Sequence, residues 1–547
     1  MIHPRQIVSA LGTAARNPDV RRVQLAWGAA IASEWMHFVA LGVFAYKEGG
    51  TSAVGIAGLV RLLPAAIVAP FAASLGDRFR RERFLLALTL LGAVALAGSA
   101  VAAFAGQRVV VFALAAVVGL VATLFRPALI ALLPSLAHTP EELIASNGAT
   151  STIEGLGTLV GPMLAGVLVA IADTGLVFAV GAGLLLAGAW LLGRVTVEGR
   201  IDLAATAGAS SLWRLLGGGF RAVLDTTGAR MVVGLIVAQT FVRGCVNVLI
   251  VVAVFRVFHG SDGEVGYLTA AIGVGGLVGA LGAMTLKGQR LAAVFGLALI
   301  GWGIPLVLIA PRPYIVAAVV LLAVVGAANA LEDVAAFTLL QRIVPDETLT
   351  RMLGLVWGLA MGGVALGSIA APVVVTVIGP RPAFAVVGSI LPLLTLVTYR
   401  RLVELDRSVA PVAEFELIEG VPMFAPLSLA AKERLAKHVV PVDVVAGELV
   451  ISAGDLGDRF YIVGEGELDI DVDGRHAAAG PTDYFGEIAL LRDVPRTATV
   501  TATTDSRLFA LDRDDFLAAV TGHSAAHAAG ESVVEERLGE GVGYQSG

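Results

Sequence analysis

The feature that most constrains this chain is a series of long apolar stretches between Val23 and Arg401. Each stretch is roughly 18 to 25 residues long, enough for an α-helix to cross about 30 Å of hydrocarbon. Over the whole chain 57% of the residues are hydrophobic and 15% are charged, far from the average of soluble proteins. We therefore predict an α-helical membrane protein with twelve spans. The spans are predicted to begin near residues 23, 53, 84, 109, 147, 175, 231, 265, 290, 314, 353 and 381.

Lysine and arginine residues are distributed unequally between alternate loops. If the N-terminus is cytoplasmic, the cytoplasmic segments hold most of these residues, including the cluster between Arg78 and Arg83. Excess positive charge marks the cytoplasmic side of a membrane protein, and an even number of spans returns the chain to that side. Both termini are therefore predicted to be cytoplasmic, in the cell membrane. The outside loops hold only Lys47, Arg108, Arg256, Arg312 and Arg381.

A long polar segment divides the spans into two groups of six. It runs from Arg194 to Arg230, and its position predicts two six-helix bundles. Small residues four apart recur at corresponding places in the two halves, at 157–166 and 363–371, which indicates an internal repeat. The predicted organisation is a first bundle at 20–193, a loop at 194–230, a second bundle at 231–402, a connector at 403–420 and a cytoplasmic domain at 421–547.

The loop after the second span carries a motif that resembles the loop signature of the major facilitator superfamily. It reads Ser74-Leu-Gly-Asp-Arg-Phe-Arg-Arg81. The resemblance implies that its acidic and basic residues make charge contacts with neighbouring helices that hold one conformation. The alternative is a solvated basic loop that only sets topology. The matching residues are Asp77, Arg78 and Arg81, whereas Ala73 and Arg80 replace glycines.

The fifth span resembles the antiporter motif of the same superfamily. The match comprises Gly157, Gly161, Pro162 and Gly166, and it departs from the family pattern at Ala165. Within the superfamily, the resemblance over about residues 20 to 402 is closest to drug and siderophore exporters, which implies export. These residues either take part in gating or serve helix packing alone, because both roles need small side chains.

Several classes of function are excluded or disfavoured by composition. A net charge of −6 provides no basic surface for nucleic acid. The single cysteine, Cys245, precludes an intramolecular disulfide and lies in an apolar run, where a buried structural thiol is expected. No metal-ligand cluster, Walker loop or nucleophile paired with a base is found, so no enzyme activity, metal site or cofactor is predicted.

Eight ionisable residues lie inside the predicted spans, where each costs at least a few kcal/mol unless it is paired or lines a cavity. A proton-coupled transporter needs a buried carboxylate close to a cation. Glu34, three residues from His37 and therefore on the same helix face, meets this need if it approaches Arg61 or Arg126. The candidates for proton coupling or substrate contact are Glu34, His37, Arg61, Arg126, Glu154, Arg243, Glu332 and Asp333.

Each of these candidates also has a structural interpretation. Glu34 is alternatively part of a structural buried pair, His37 a satisfied buried histidine, and Glu154 a bridge between helices. Glu332 and Asp333 are adjacent, so at most one of them faces a central cavity. Arg243 forms a polar stripe with residues four before and four after it, which either lines the cavity or holds helices together.

The character of the chain changes after Arg401. A charged connector is followed by a helical pattern at 428–437, by short turn-punctuated strands at 447–455, 459–463 and 466–472, and by helices after residue 513. This order predicts a β-roll with flanking helices. Residues 485 to 498 read Phe-Gly-Glu-Ile-Ala-Leu followed by Pro-Arg-Thr-Ala. The order of elements and this motif together resemble the cyclic nucleotide-binding domain over about residues 421 to 538.

The resemblance implies a phosphate-binding cassette, and the chemistry of its residues fits that role. Arg496 presents a fork of N–H donors suited to the two exposed oxygens of a cyclic phosphodiester. Gly486 permits close approach of the backbone, and Glu487 is an acceptor suited to the ribose 2′-hydroxyl. By resemblance, two alanine amides and a threonine hydroxyl contribute near the phosphate. The predicted site is Phe485, Gly486, Glu487, Ile488, Ala489, Arg496, Thr497 and Ala498.

The identity of the base and of the lid is less constrained. Threonine is often found at the position of Thr497 in relatives that respond to cGMP, and channels that respond to cAMP carry it too. We favour cAMP and keep cGMP as the alternative. The resemblance implies a C-terminal lid helix at 525–538, which Gly530 is expected to interrupt.

The sequence thus predicts a cyclic nucleotide-regulated, proton-coupled exporter of a small amphipathic molecule in the lipid bilayer. One alternative is a membrane-tethered nucleotide sensor whose transporter portion serves as an anchor, although an anchor has no use for intramembrane charges. Another makes the cyclic nucleotide itself the exported substrate.

Overall fold

The computed structural model describes residues 17–68, 80–136, 140–195, 227–283, 290–311, 314–344, 346–409, 414–427, 429–522 and 524–539. The chain divides into two compact units, Met1–Val409 and Ala410–Gly547. We call them the membrane unit and the nucleotide unit.

The described residues of the membrane unit form helices joined by short turns, and eleven of these helices are long and apolar enough to cross a membrane. The first has 51 residues, about 75 Å of helix and more than twice the thickness of a hydrocarbon core. It breaks at Gly49 and Gly50, whose backbone angles are not helical, and therefore holds two spans. The predicted twelve-span fold is confirmed. The helices are α1 (Pro18–Val68), α2 (Arg81–Phe104), α3 (Arg108–Leu136), α4 (Pro140–Ile171), α5 (Thr174–Leu192), α6 (Thr227–Arg256), α7 (Asp262–Ala283), α8 (Leu291–Ile309), α9 (Ile315–Ile343), α10 (Asp346–Ile378) and α11 (Pro380–Val409).

The two bundles meet along seams at which backbone touches backbone. A Cβ atom added at Gly266 of α7 would lie 2.4 Å from the carbonyl oxygen of Pro162 and 2.5 Å from the Cα of Gly166, both on α4. One added at Gly55 of α1 would lie 2.5 Å from the carbonyl oxygen of Ser368 on α10. Such distances exclude any side chain at the two glycines, so small residues bring the helices together here as they do in other membrane proteins.

The nucleotide unit is a β-roll with flanking helices, as predicted. Two antiparallel four-stranded sheets have the strand orders β1-β8-β3-β6 and β2-β7-β4-β5. The strands are β1 (Val440–Val444), β2 (Leu449–Ile451), β3 (Arg459–Glu465), β4 (Leu468–Val472), β5 (Arg475–Ala479), β6 (Tyr484–Phe485), β7 (Thr499–Ala502) and β8 (Ser506–Asp512). The flanking helices are α12 (Phe415–Gly420), a 3-10 turn (Pro422–Phe424), α13 (Leu429–His438), α14 (Glu487–Arg492), α15 (Arg513–Thr521) and α16 (Ser524–Gly539).

Two apolar cores hold the nucleotide unit together. One lies between the sheets and includes Val463, Leu468 and Leu508. The other joins the sheet to the helices through the packed rings of Phe424, Phe460 and Phe516. Each core is composed of residues of this unit alone.

The segment 403–420, predicted as a connector, contains the last turns of α11, where Leu405 is buried, and all of α12. The expected interruption at Gly530 is wrong, since α16 is continuous through that residue. A Cβ there would lie 3.2 Å from Val520 and 3.3 Å from Leu491, so the glycine permits close packing of the helix.

Candidate functional sites

The cassette lies between β6 and β7, where the chain turns sharply at Gly486. Its φ of 92° is a left-handed conformation that side chains disfavour. A Cβ atom at this position would also lie 2.6 Å from Nη1 of Arg496. Glycine is therefore required at this position for two reasons: its backbone conformation, and the guanidinium group of Arg496 that packs against it.

Arg496 is buried, with 5% of its surface exposed, although it carries a full charge. Its Nη1 donates to the carbonyl oxygen of Gly486 at 3.1 Å, and its Nη2 donates to that of Arg459 at 2.7 Å and to Oδ1 of Asp458 at 3.2 Å. These acceptors are mostly neutral carbonyls. A bound anion can replace them without leaving a buried carboxylate unpaired, since the Asp458 side chain is largely exposed.

Glu487, the first residue of α14, is 1% exposed. Its Oε1 accepts from Nη1 of Arg537 on α16 at 2.5 Å, and its Oε2 has no hydrogen-bond partner among the described residues. Arg537 also donates to the carbonyl oxygen of Tyr484 and lies 4.4 Å over its ring. A free acceptor oxygen on a buried carboxylate is the feature that a ribose hydroxyl would use.

The other predicted cassette residues surround these two. Phe485 is buried and stacks on Tyr461, with 5.2 Å between ring centroids. Ala489 is buried, Ile488 and Ala498 are half-buried, and Thr497 is exposed. Arg537 was not among the sequence candidates; a basic residue in the last turns of the predicted lid helix was the only signal available.

In the first bundle, two predicted charges pair with two others. Nη2 of Arg61 donates to Oε1 of Glu34 at 3.0 Å, and Nη1 of Arg126 lies 3.1 Å from Oε1 of Glu154. Arg61 is thus the partner of Glu34. His37 is 1% exposed, 5.6 Å from the ring of Phe178, and neither ring nitrogen has a hydrogen-bond partner among the described residues.

The second bundle places its charges beside a chain of amides. Gln239 of α6 donates to Oδ1 of Asn329 at 3.3 Å, and Asn329 donates to Oδ2 of Asp333 at 2.9 Å. Arg243, also on α6, acts electrostatically on both Glu332 and Asp333. Glu332 is 2% exposed, on the packed side of α9, whereas Asp333 is on its accessible side.

The groups of the two bundles interact with one another. Glu154 experiences the charges of Arg126, Glu34 and Asp333, and Asp333 in turn experiences that of Arg126. The carboxylates and arginines predicted from sequence therefore belong to one connected network between the bundles.

The predicted gating residues are found in three situations. Asp77 and Arg78 lie outside the described residues. Nη1 of Arg81 donates to the carbonyl oxygen of Ala131 at 2.7 Å and so ties α2 to α3. The span-five motif packs on both sides: Gly157 and Gly161 face α1, whereas Pro162 and Gly166 face α7.

The family of the membrane unit follows from comparison with known families. The model described as Major Facilitator Superfamily matches residues 25–221 and 232–442, more than half of the chain. The chain belongs to the major facilitator superfamily. Membership identifies this facilitator as a multi-pass membrane protein, and neither this family nor that of its second domain is enzymatic.

The second domain of this facilitator has its own family. Residues 441–523 match the model described as Cyclic nucleotide-binding domain. The facilitator is 35% identical over 143 residues to the cAMP-dependent protein kinase regulatory subunit of Eremothecium gossypii, and 37% identical over 129 residues to that of Dictyostelium discoideum. These matches cover 25% and 22% of the chain and 31% and 39% of the relatives, so the chain spans about a third of each relative's length.

A solved structure is also similar to part of the chain. The Thermus thermophilus Catabolite Activator Protein is 27% identical, with 22% of this chain and 60% of that chain covered and a TM-score of 0.20.

Proposed function

We propose that this facilitator is a secondary active transporter whose activity is set by cAMP bound to its nucleotide unit. The observation that carries the proposal is the cassette on a facilitator chain: Arg496 is buried against neutral carbonyls, and Glu487 is buried with a free acceptor oxygen. Neither arrangement benefits a fold that binds nothing, because each buries charge at a cost. The similarity to cAMP-dependent kinase regulatory subunits supports cAMP over cGMP.

Transport driven by protons is the second part of the proposal. The network of Glu34, Arg61, Arg126 and Glu154 holds carboxylates next to arginines inside membrane-spanning helices. In such an arrangement a carboxylate binds or releases a proton when its distance from the arginine or its burial changes. Export of a small amphipathic molecule is proposed from the antiporter motif. A nucleotide sensor that uses the membrane unit only as an anchor would gain stability by losing these charges.

The nucleotide unit is proposed to lie in the cytoplasm. The excess of arginine in alternate loops supports this orientation, and cytoplasm is where cAMP is available to Arg496. Regulation is proposed to pass along the chain into the end of α11, because a ligand changes activity only through a difference in affinity between two states.

The experiment measures unfolding of the full-length protein with and without cAMP. All six tryptophans precede residue 410, so tryptophan fluorescence reports on the membrane unit alone. In the wild type, cAMP should shift the apparent unfolding midpoint of that unit, and Arg496→Ala and Glu487→Ala should abolish the shift. Unaltered cAMP affinity in both variants, measured by equilibrium dialysis, would remove the cassette assignment. A matched control is Arg507→Ala, an exposed arginine of β8 whose side chain contacts Asp443.

A further inference from the structure

His37 is a buried polar side chain that the surrounding protein does not satisfy. It is 1% exposed, and neither of its ring nitrogens has a hydrogen-bond partner among the described residues. Arg61, which acts on it electrostatically, is also buried, and its Nε has no partner in the same part of the chain. Buried polar atoms in proteins pair either with protein groups or with ordered water. Three unpartnered atoms close together therefore indicate ordered water beside His37.

Two cavities lie along α1, one on either side of His37. The inner cavity, toward the start of α1, has a volume of about 30 Å³, and its wall includes Ser33 and Glu34. The outer cavity, toward the break within α1, has a volume of about 40 Å³, and its wall includes Leu41 and Arg61. Ser33 and Leu41 are four residues before and after His37, so the three lie on one side of the helix. Each cavity is large enough for water, since one molecule needs roughly 10–15 Å³.

Polar groups connect the two cavities. The outer cavity offers the side chains of Asn247, Thr269 and Ser368 in addition to Arg61. Arg61 also reaches the inner cavity, because its Nη2 donates to Oε1 of Glu34 at 3.0 Å and Glu34 lines that cavity. A row of polar groups therefore runs along α1 from one cavity to the other.

Few charges act on His37. The ring packs on Phe178 of α5, with 5.6 Å between ring centroids, and α5 contains no charged residue. The ionisable side chains of the first bundle that surround this region are Glu34, Arg61, Arg126 and Glu154. Of these, Arg126 and Glu154 pair with each other, and Glu34 pairs with Arg61. The charge that a proton on His37 meets first is thus that of Arg61.

We propose that His37 is a proton-relay residue that passes protons between water in the outer cavity and water in the inner cavity, along a path that ends at Glu34. The inference rests on the proposed proton-driven transport and names the residues of its proton path. A neutral imidazole has one N–H and one acceptor nitrogen. A proton from the outer cavity binds the acceptor nitrogen, and the proton on the other nitrogen leaves to water in the inner cavity. Repulsion between Arg61 and the protonated ring promotes this release, and rotation of the ring restores the first tautomer.

The test measures proton binding by the full-length protein without any transported compound. Proteoliposomes adsorbed on a solid-supported membrane are given a jump to lower external pH, and the transient current reports charge that moves into the protein. We expect a transient in the wild type that is lost in His37→Phe and in His37→Gln. Glutamine keeps the hydrogen-bonding groups of a polar side chain and takes up no proton, so it would rescue a histidine with a purely structural role.

Two further variants sharpen the result. Glu34→Gln removes the end of the path with little change of shape, and it should reduce the transient as well. His259→Gln is the matched control, because it removes an exposed histidine at the turn between α6 and α7, outside the spans, and it should keep the wild-type transient. An unfolding midpoint of the membrane unit near that of the wild type, followed by tryptophan fluorescence, shows that each variant is folded.

A transient in His37→Gln equal to that of the wild type would overturn the inference, as would the absence of a transient in the wild type. Proton-driven flux of a compound that persists in His37→Gln overturns the inference and leaves the proposed function standing. A transient that depends on His37, without proton-driven flux of any compound tested, supports the relay and contradicts the proposed transport.

Discussion

Asp406 offers the most direct test of the proposed action of the nucleotide unit on the membrane unit. It lies in the last turn of α11, just before the chain leaves the membrane unit. Its Oδ1 accepts from the backbone N–H of Ala292 at 2.7 Å and its Oδ2 from that of Ala293 at 2.9 Å. Arg290, which precedes α8, makes no side-chain cap, so Asp406 supplies the N-terminal cap of α8 from a distant part of the chain.

The magnitude of this contact follows from its two components. An acidic N-cap contributes about 0.5–2 kcal/mol, and a negative charge at a helix N-terminus about 0.3–1 kcal/mol. The contact is thus worth roughly 1–3 kcal/mol, equivalent to a 5- to 150-fold change in an equilibrium between two states. If cAMP acts by moving the end of α11, Asp406→Ala should remove most of the nucleotide effect on the membrane unit.

The assay is tryptophan-monitored unfolding of the full-length protein at saturating cAMP. Asp406→Ala should bind cAMP at the cassette and yet lose the nucleotide-dependent shift of the midpoint. Asp173→Ala is the matched control: it removes the N-cap of α5, in the other bundle, where Oδ1 of Asp173 accepts from Leu176 N–H at 3.2 Å. This control should lower the midpoint and keep the shift. A full cAMP shift in Asp406→Ala would refute transmission through the α8 cap.

Three further predictions follow from individual contacts. Gly266→Ala should lower the unfolding midpoint of the membrane unit by the equivalent of about 1–3 kcal/mol, because its methyl group overlaps backbone atoms, whereas Gly183→Ala, which meets no atom within 4 Å, should not. Arg537→Ala should destabilise the nucleotide unit by about 3–5 kcal/mol, by leaving Glu487 buried and unpaired, and adding Glu487→Gln should recover part of the loss in thermal unfolding. The pKa of His476 is raised above 6.5 by its hydrogen bond to an aspartate, so the NMR signal of its ring should titrate above pH 6.5. The stabilisation that this contact gives the folded state is complete below pH 6.5 and should be lost as the pH rises through the raised pKa.

The fold was largely predictable because its signals are local. The length of an apolar stretch determines whether it crosses a membrane, and glycine and proline punctuate short strands regardless of their tertiary partners. Charge content suggested a connector after residue 402, while the burial of Leu405 against other helices was not visible in the sequence. Gly530 was misjudged for a similar reason, since its neighbours Val520 and Leu491 come from elsewhere in the chain.

The sites were predictable as sets of residues and less so as pairs. The spacing in the cassette identified Arg496 and Glu487, but their partners in the structure are backbone carbonyls and Arg537, which no short motif connects to them. Within the spans, the free-energy cost of placing a charge in the membrane was enough to single out the charged residues as candidates. Whether Glu34 meets Arg61 or Arg126 depends on how three helices are rotated, and one sequence does not determine that.

The energies available at the two ends of the proposed regulation are of the same order. Arg496 already makes hydrogen bonds to Gly486, Arg459 and Asp458 before any ligand binds, so a bound phosphate exchanges these bonds for others and adds only the difference. Binding energy that goes into moving the chain is limited to that difference, and coupling between sites is typically about 1–3 kcal/mol. A contact as small as the Asp406 cap is therefore sufficient to receive the signal. A much stronger contact at the same place would hold α11 against anything that cAMP binding supplies.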